Sequence, residues 1–318
     1  MTLTSSKIKV GGALRPLFFK VDITNIGMNI GIVGLGLIGG SLGLDLMALN
    51  QDHYVWGISR SSETCKQAKA IASVNIASPD IANIPAHILK QTDIVVICTP
   101  IAAILSTIIA ISPKLPEYVI FTDVGSVKAA IVEPATNICQ KYNQRFVGSH
   151  PMAGTAFQGI AAAERNLFQD RPCVVTPSDD LDAVQKVRSL WQSVGMQVYE
   201  CNPEDHDRAV AMISHLPVMI SASLIASCQQ ENDAIVLQLA QNLASSGFRD
   251  TSRVGGGNPE LGRLMAEYNH SALLRSLYTY QQSLQKVIGL VESQQWEQIE
   301  AFLTNTQSDR NLYLGSID

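Results

Sequence analysis

The sequence is poor in charge and has no basic cluster. Only 16% of its residues are charged, the formal net charge is −5, and lysine and arginine nowhere form a block. Binding to nucleic acid or to an anionic membrane surface depends on such a block, so we expect neither partner and infer a small-molecule ligand. With 318 residues, 46% of them hydrophobic, the chain has the composition of a folded globular protein of about two domains.

Cysteines with metal-ligand spacing are also missing. The chain has six cysteines, each more than 20 residues from the next: Cys65, Cys98, Cys139, Cys173, Cys201 and Cys228. Neither a CxxC pair nor a zinc-ligand pattern exists, so we expect no metal site. Reduced thiols are the default at this spacing, which favours a cytoplasmic protein.

The N-terminal stretch lacks the marks of a signal peptide. Residues 1–27 show neither a clean hydrophobic region nor a small-residue cleavage site, and we interpret them as an extension that is poorly ordered or that follows an upstream start. The longest uncharged run, Ile94–Ser112, is interrupted by Thr99-Pro100. This break predicts a buried strand followed by a helix and argues against a transmembrane helix.

From Met28 onward, short apolar runs alternate with helical stretches. The runs are NIGIV, HYVWGIS, DIVVICTP, YVIFTDV, RFVGS and PCVVTP. Their spacing predicts an α/β protein with an N-terminal Rossmann-type, doubly wound parallel sheet over residues 28–201. Strand signals stop after VGMQVYE, so residues 202–318 are predicted to form an all-α C-terminal domain.

The helical part contains residues that are typical of helix N-termini and C-termini. Asn202-Pro203 and Asn258-Pro259 are each typical of an N-cap followed by the first helical residue, and Gly247 is interpreted as a C-cap. Long apolar stripes at three- and four-residue spacing predict a homodimer formed through this domain.

A dinucleotide site is predicted at the start of the first domain. GLGLIG follows the first strand and opens a helix, which is the context that G-x-G-x-x-G requires. Gly34 would permit the tight turn, Gly36 the approach of a pyrophosphate and Gly39 the packing of helix on strand. Leu37 and Ile38 lie within the same motif and belong to the predicted site.

The cofactor is predicted to be NADP. NAD-binding folds carry an acid after the second strand, for the ribose 2′-hydroxyl, but this chain has Ser59, Arg60 and Thr64 there. An arginine and hydroxyls suit a 2′-phosphate, although Arg60 could also be a solvated surface residue. Thr99 and Pro100, after the fourth apolar run, are assigned to the same site.

Two loops after later strands carry the candidate chemistry. In DVGSVK, Asp123 is interpreted as a helix cap, Ser126 as a hydroxyl in the ligand cleft and Lys128 as a surface charge. In GSHPMAGT, Pro151 fixes a turn and small residues allow a ligand to approach, which favours His150 as a cleft residue. A buried, hydrogen-bonded histidine is the alternative.

The helical domain supplies candidate groups for the substrate. In SSGFRDTSR, helical spacing places Arg249 and Arg253 on one face; Asp250 could pair with one of them and leave the other for a substrate carboxylate. A solvated basic face is the alternative. His206 is interpreted as a surface residue of a first helical turn, and His215, before Pro217, as lining the cleft or making a structural hydrogen bond.

Five motifs in order resemble one family. GLGLIGGS, DVGSVK, SHPMAGT, SHLPV and SSGFRDTSRVGGGNPELG look like the prephenate/arogenate dehydrogenases of tyrosine biosynthesis, over residues 28 to about 318. Within the family the chain most resembles the NADP-dependent arogenate dehydrogenases of cyanobacterial and plant type.

The resemblance implies oxidative decarboxylation of L-arogenate to L-tyrosine with hydride transfer to NADP. His150 would accept the proton of the ring hydroxyl, and Ser126 would hold that hydroxyl and orient the imidazole. Arg253 would bind a carboxylate, with Arg249 and Asp250 as supporting charges.

Two departures from the family bear on the substrate. Val218 replaces the second histidine of HLPH, and Ala156 replaces a glutamate that often follows HPMAGT in prephenate-using relatives. Both favour the aminated substrate, arogenate.

The alternative functions are a prephenate or dual-specificity cyclohexadienyl dehydrogenase, a β-hydroxyacid dehydrogenase and a non-catalytic NADP sensor. Because the helical pattern runs almost to Asp318, we expect any inhibition by tyrosine to act through the active site.

Overall fold

The computed structural model describes residues 27–49, 52–155 and 157–314. The predicted extension lies outside these residues except for Gly27. The described residues form two compact units. The first unit runs to Val210 and includes Gly257–Tyr268; the second unit comprises Ala211–Gly256 and the chain from Asn269. The predicted domain boundary after residue 201 stays a prediction.

A six-stranded parallel sheet is the centre of the first unit. Its strands are β1 (Asn29–Val33), β2 (Tyr54–Ile58), β3 (Ile76–Ser78), β4 (Ile94–Ile97), β5 (Ile120–Asp123) and β6 (Arg145–Phe146). Their order is β3-β2-β1-β4-β5-β6, and every neighbouring pair is parallel. The strand order reverses between β1 and β4, and ligands of such sheets bind beyond the carboxyl ends of the strands at this point.

Helices cover the sheet on both faces. Alternate strand residues belong to different core clusters: Ile30 and Ile32 pack with Leu42 of one layer, whereas Val33 packs with Ile104 of the other. The helices of this unit are α1 (Leu37–Leu49), α2 (Ser62–Ala70), α3 (Ala86–Lys90), α4 (Ile104–Ile111), α5 (Ala129–Gln140), α6 (Leu181–Ser193), α7 (Pro203–Val210) and, by its number in the chain, α11 (Pro259–Tyr268). The predicted doubly wound α/β fold is confirmed.

A second, three-stranded sheet was not predicted. It contains β7 (Ser149–Pro151), β8 (Pro172–Val175) and β9 (Gln197–Glu200). β7 is antiparallel to β8, and β8 is parallel to β9. The interpretation of PCVVTP as a strand of the parallel sheet is therefore wrong. Only residues 147 and 148 separate β6 from β7, which leaves no room for a crossover helix, so β7 pairs outside the first sheet.

The second unit is helical. Its helices are α8 (Leu216–Cys228), α9 (Ala234–Leu243), α10 (Ser246–Ser252), α12 (His270–Glu292) and α13 (Trp296–Leu314). A π-helical turn, Ala211–His215, precedes α8. The helical stretch Pro203–Cys228 is long and apolar enough to cross a membrane by length and composition alone, a test that core helices of soluble proteins also pass.

The helix boundaries test the predicted caps. Asn202 Oδ1 accepts a hydrogen bond from the Asp205 amide at 2.8 Å, and Asn258 Oδ1 accepts one from Glu260 at 2.8 Å, so both N-caps are confirmed. Gly247 is not a C-cap, because α9 ends at Leu243 and the glycine lies inside α10. Within Ile94–Ser112, the predicted division into strand and helix is confirmed by β4 and α4.

The six thiols differ in exposure. Cys65, Cys139 and Cys173 are buried, Cys98 and Cys201 are half-buried, and Cys228 is exposed. Burial raises the pKa of the first five, in the case of Cys139 to about 12.

Candidate active site

The glycine loop follows β1 and enters α1. Gly34 has a φ of +104°, and a Cβ there would meet the Cys98 carbonyl group. A Cβ on Gly39 would overlap the Gly34 carbonyl oxygen, so this glycine permits the close packing of helix on strand. A Cβ on Gly36 would have no neighbour within 4 Å. Leu37 and Ile38 are half-buried at the start of α1.

Two hydroxyl groups at neighbouring strand ends point to a ligand. Thr99 follows β4 and Ser126 follows β5, so both lie at the edge where the glycine loop follows β1. The hydroxyl oxygens of Thr99 and Ser126 are buried and have no hydrogen-bond partner within the described parts of the chain. Buried polar groups are nearly always bonded, so the two hydroxyls and the open Gly36 fit a dinucleotide at this edge.

The segment after β2 carries the predicted ribose contacts. Ser59 is half-buried, and Arg60 is exposed with no ion pair or hydrogen bond among the residues described. Ser61 caps α2, because its Oγ accepts a hydrogen bond from the Thr64 amide at 3.2 Å. Pro100, three residues after the end of β4, is exposed.

His150 lies on β7 and is bonded to a second histidine. Its Nδ1 is 2.8 Å from Nε2 of His206, and the two rings meet edge to face at 5.1 Å between centroids. His206 Nδ1 is in turn 2.7 Å from Oδ1 of Asp207. The exposed fraction of His150 is 8% and that of His206 is 1%. The three side chains form a buried chain from carboxylate to imidazole to imidazole.

The interpretation of His206 as a surface residue is wrong. His206 and Asp207 lie on the buried face of α7 together with Val210, one turn further along. This stripe was the available sequence signal, because an apolar residue four positions later places His206 on the same face. A histidine among charged neighbours is buried here because the distant His150 and the adjacent Asp207 bond its two ring nitrogens.

Asp207 is bonded to the start of α5. Its Oδ1 accepts the Lys128 amide at 2.7 Å, and its Oδ2 accepts the Ala129 amide at 3.0 Å. Free amides at a helix N-terminus favour a negative charge, so this position suits a carboxylate.

Lys128 and Asp123 form a fully buried ion pair beside His150. The Lys128 ammonium bonds the Asp123 carboxylate and donates to the Ser149 carbonyl at 2.8 Å. Burial lowers the pKa of Lys128, and the charge of Asp123 partly offsets this. The interpretation of Lys128 as a surface charge and that of Asp123 as a plain helix cap are both wrong. Both side chains are fully buried, and each compensates the charge of the other.

Hydrogen bonds of Ser149 with Asp123 and Trp191 fix strand β7, which carries His150. Asp123 Oδ1 accepts the Ser149 amide at 3.2 Å. The Ser149 hydroxyl donates to the Asp123 carbonyl at 2.6 Å and accepts the Trp191 indole at 2.9 Å. Strand β7 is thereby fixed next to the end of β5, from which Ser126 follows.

The predicted substrate residues lie in the second unit. Arg249 and Asp250 are exposed, with 3.6 Å between Nε and Oδ1. Arg253 is exposed, has no bonded partner in the part of the chain described, and begins a 3₁₀ turn, Arg253–Gly256. This turn is held by Ser221, whose Oγ accepts the Gly255 amide and donates to the Thr251 carbonyl, both at 2.8 Å.

His215 is fully buried. Its Nδ1 accepts a hydrogen bond from the Asn269 amide group at 3.1 Å. The structural alternative is thus realised, and a role in substrate binding stays a prediction. Ala156 lies outside the described residues. Among the residues described, no group of three histidine, cysteine or acidic side chains could hold a metal ion.

Two family models match the chain. The model described as the prephenate dehydrogenase nucleotide-binding domain matches residues 42–200, and the one described as the prephenate dehydrogenase dimerization domain matches residues 202–305. The first match begins after the glycine loop, so the assignment of that loop depends on its geometry.

Solved structures and sequence relatives agree with these matches. The structure of Synechocystis arogenate dehydrogenase is 49% identical, with a TM-score of 0.78 over 90% of this chain and 100% of its own. Prephenate dehydrogenase from A. aeolicus, in complex with hydroxyphenyl propionate and NAD+, is 26% identical in sequence. Its TM-score is 0.82, and the match covers 89% of this chain and 97% of its own. The cyclohexadienyl dehydrogenase of Zymomonas mobilis is 29% identical over 89% of this chain and 94% of its own.

Proposed function

We propose that this chain, which belongs to the prephenate dehydrogenase family, converts L-arogenate to L-tyrosine and carbon dioxide with NADP as the oxidant. The observation that carries the proposal is the buried imidazole of His150, held through Nδ1 beside the strand end from which Ser126 follows. The similarity to Synechocystis arogenate dehydrogenase supports the choice of arogenate.

The cofactor would lie along the carboxyl edge of the parallel sheet. Bound NADP would supply the acceptor for the hydride. The amides at the start of α1, near Leu37 and Ile38, suit a pyrophosphate, and Gly36 leaves room for it. Ser59, Arg60 and Thr64 would contact the 2′-phosphate, and Thr99 with Pro100 would line the site next to β4.

His150 would accept the proton of the substrate's C4 hydroxyl as the C–H bond at that carbon breaks. The buried hydroxyl of Ser126 would bond the same substrate oxygen and keep it directed at the imidazole. Loss of carbon dioxide then makes the ring aromatic, so this step needs little help from the protein.

Arg253 is the candidate group for a substrate carboxylate. Arg253 is held on an ordered turn with its guanidinium exposed, so it can pair with a carboxylate. Arg249 and Asp250 would support it. Val218, half-buried in α8, would face an aminated side chain without adding a positive charge, whereas a histidine could bond a keto acid.

The assay that tests the proposal measures initial rates with arogenate and with prephenate, each with NADP and with NAD. We expect the highest kcat/KM for arogenate with NADP. Equal or higher values for prephenate would favour the second candidate, a prephenate or cyclohexadienyl dehydrogenase, which the 29% identical relatives support. No turnover with either substrate would refute both.

His150→Asn tests the proposed base. A positioned acid or base is worth about 10²–10⁴ in rate, so kcat should fall by this factor while the affinity for NADP is kept. The matched control is His87→Asn, which changes an exposed histidine on α3. An unchanged kcat for His150→Asn would make His150 a structural residue.

The protein would act as a homodimer in the cytoplasm. The second matched family model describes a dimerization domain, and the second unit has many exposed apolar side chains on α12 and α13.

A further inference from the structure

We infer that His206 and Asp207 are positioning residues that set the tautomer of His150, so that its basic lone pair lies on Nε2. The inference rests on the proposed function in one respect, the role of His150 as proton acceptor. It follows from the donors and acceptors along the buried chain that links the three residues.

The carboxylate of Asp207 fixes the first proton. Its two oxygens accept the backbone amides of Lys128 and Ala129, and Oδ1 also lies 2.7 Å from His206 Nδ1. An ionised carboxylate has no proton to donate, so the hydrogen in the contact with His206 belongs to the imidazole. His206 therefore carries a proton on Nδ1.

The first proton determines the second. A neutral imidazole with its proton on Nδ1 has a lone pair on Nε2, and this atom of His206 is 2.8 Å from Nδ1 of His150. One of the two nitrogens must donate, so the proton lies on His150 Nδ1. The lone pair of His150 is then on Nε2, the nitrogen on the side of the ring away from His206.

This arrangement matters when His150 takes a proton from the substrate oxygen. The imidazole becomes an imidazolium, and its Nδ1–H bond to His206 becomes a charge-assisted one, which is stronger than the neutral bond. Asp207 balances the charge through His206. Without the chain, His150 would populate the other tautomer, which has no lone pair at Nε2, and could rotate about its side-chain bonds.

Two substitutions of His206 separate this role from packing. In His206→Gln the amide group can donate to Asp207 and accept from His150 Nδ1, whereas His206→Leu fills the site and can do neither. Misplacing a catalytic group costs about 10²-fold, so we expect His206→Leu to lower kcat by that factor with little change in NADP affinity. His206→Gln should keep kcat within about tenfold of the wild type. If His206 only packs, the leucine variant will be as active as the glutamine variant or more so, and the inference is wrong.

A buried histidine elsewhere in the first unit provides the control. His53 is also buried, and its Nδ1 accepts a hydrogen bond from the Met28 amide at 3.2 Å. His53→Leu should lower the melting temperature and leave kcat unchanged. This result would show that a lower kcat in His206→Leu does not come simply from the loss of a buried imidazole.

Nuclear magnetic resonance of the full chain, labelled with 15N in histidine only, reads the tautomer directly. The ring signals of His150 are assigned by their loss in His150→Gln. We expect Nδ1 to be protonated and Nε2 unprotonated at neutral pH in the wild type, and this preference to be lost in His206→Leu. A wild-type His150 protonated on Nε2 would overturn the inference. This spectrum needs no turnover, so it remains decisive even if arogenate is not the substrate.

Discussion

At the residue scale, Arg60 is the group on which the proposed preference for NADP depends. It is exposed after β2, and its guanidinium has no ion-pair partner in the described residues, so replacing it disturbs no packing. Arg60→Asp removes the partner of a 2′-phosphate and adds an acid for a 2′-hydroxyl. We expect the ratio of kcat/KM for NADP to that for NAD to reverse.

The control for this variant is Lys66→Asp, which makes the same charge change at an exposed position further along α2. Its cofactor preference should equal that of the wild type. If Arg60→Asp keeps the NADP preference, Arg60 is a solvated surface residue and the 2′-phosphate contact lies elsewhere.

Lys128 offers a test of stability at the same scale. Removing its ammonium leaves Asp123 buried without its cationic partner, and breaking a buried pair in this way costs about 3–5 kcal/mol. Lys128→Met should lower the free energy of unfolding in denaturant by this amount. Lys90→Met, at an exposed position, should change it little. A loss of less than about 1 kcal/mol for Lys128→Met would mean that the pair does not stabilise the fold as described.

Individual residues show which features of the site could be predicted from the sequence and which could not. The turn at Gly34 and the N-caps at Asn202 and Asn258 were predictable, because each depends on neighbours within a few positions. The burial of His206 and Lys128 was not. His206 bonds a residue 56 positions away, and a charged side chain is interpreted as exposed until its partner is known.

At the element scale, α1 carries a buried acid on the face that packs against the 164–166 loop. Asp45 Oδ1 accepts the Asn166 amide at 2.9 Å, while Oδ2 has no hydrogen bond among the described residues. Burial raises the pKa of Asp45, an effect that the Asn166 hydrogen bond and Arg165 offset only in part.

The raised pKa predicts a pH-dependent effect of Asp45→Asn. Between the ordinary pKa of 3.8 and the raised one, the folded protein holds a proton on Asp45 that the unfolded chain has lost. The wild type therefore loses stability relative to the variant as the pH rises through this window. We expect the variant to be more stable by about 1 kcal/mol at pH 7 and to lose this advantage in acid.

Denaturant unfolding at several pH values checks this expectation, with Asp309→Asn as the control because Asp309 lies in the exposed helix α13. A stability difference that grows in acid would contradict the stated cause.

Sequence patterns predicted elements better than their partners. Runs of β-branched residues predicted β1, β4 and β5, whose residues are almost all buried on both faces. The antiparallel pairing of β7 with β8 was missed because β7 contains three residues, too few to show a period. The break between α9 and α10 was missed because Gly247 gave a stronger stop signal than Ala244 and Ser245.

At the scale of the whole molecule, the exposed apolar stripe of α12 predicts the oligomeric state. Leu274, Tyr278, Leu284, Ile288 and Val291 are exposed at helical spacing along one side of this helix. A contiguous row of exposed apolar side chains is typical of a protein–protein interface. Light scattering should give a mass twice the 34.4 kDa of one chain.

A double variant, Leu284→Glu with Ile288→Glu, should convert the protein to a monomer, because the interface would bury two unpaired charges. Thr279→Glu adds charge to the opposite side of the same helix and should leave the dimer intact. A double variant that stays dimeric would place the interface on another surface.

The distribution of the thiols makes the native protein selective toward electrophiles. A thiol reacts as the thiolate. Burial raises the pKa of five of the six thiols, three of which are buried and two half-buried, whereas Cys228 is exposed at the end of α8. A coloured disulfide reagent should therefore modify one thiol per native chain quickly and the others only after unfolding. A thiol-reactive fluorophore would therefore label the second unit alone, at Cys228, without any engineered cysteine.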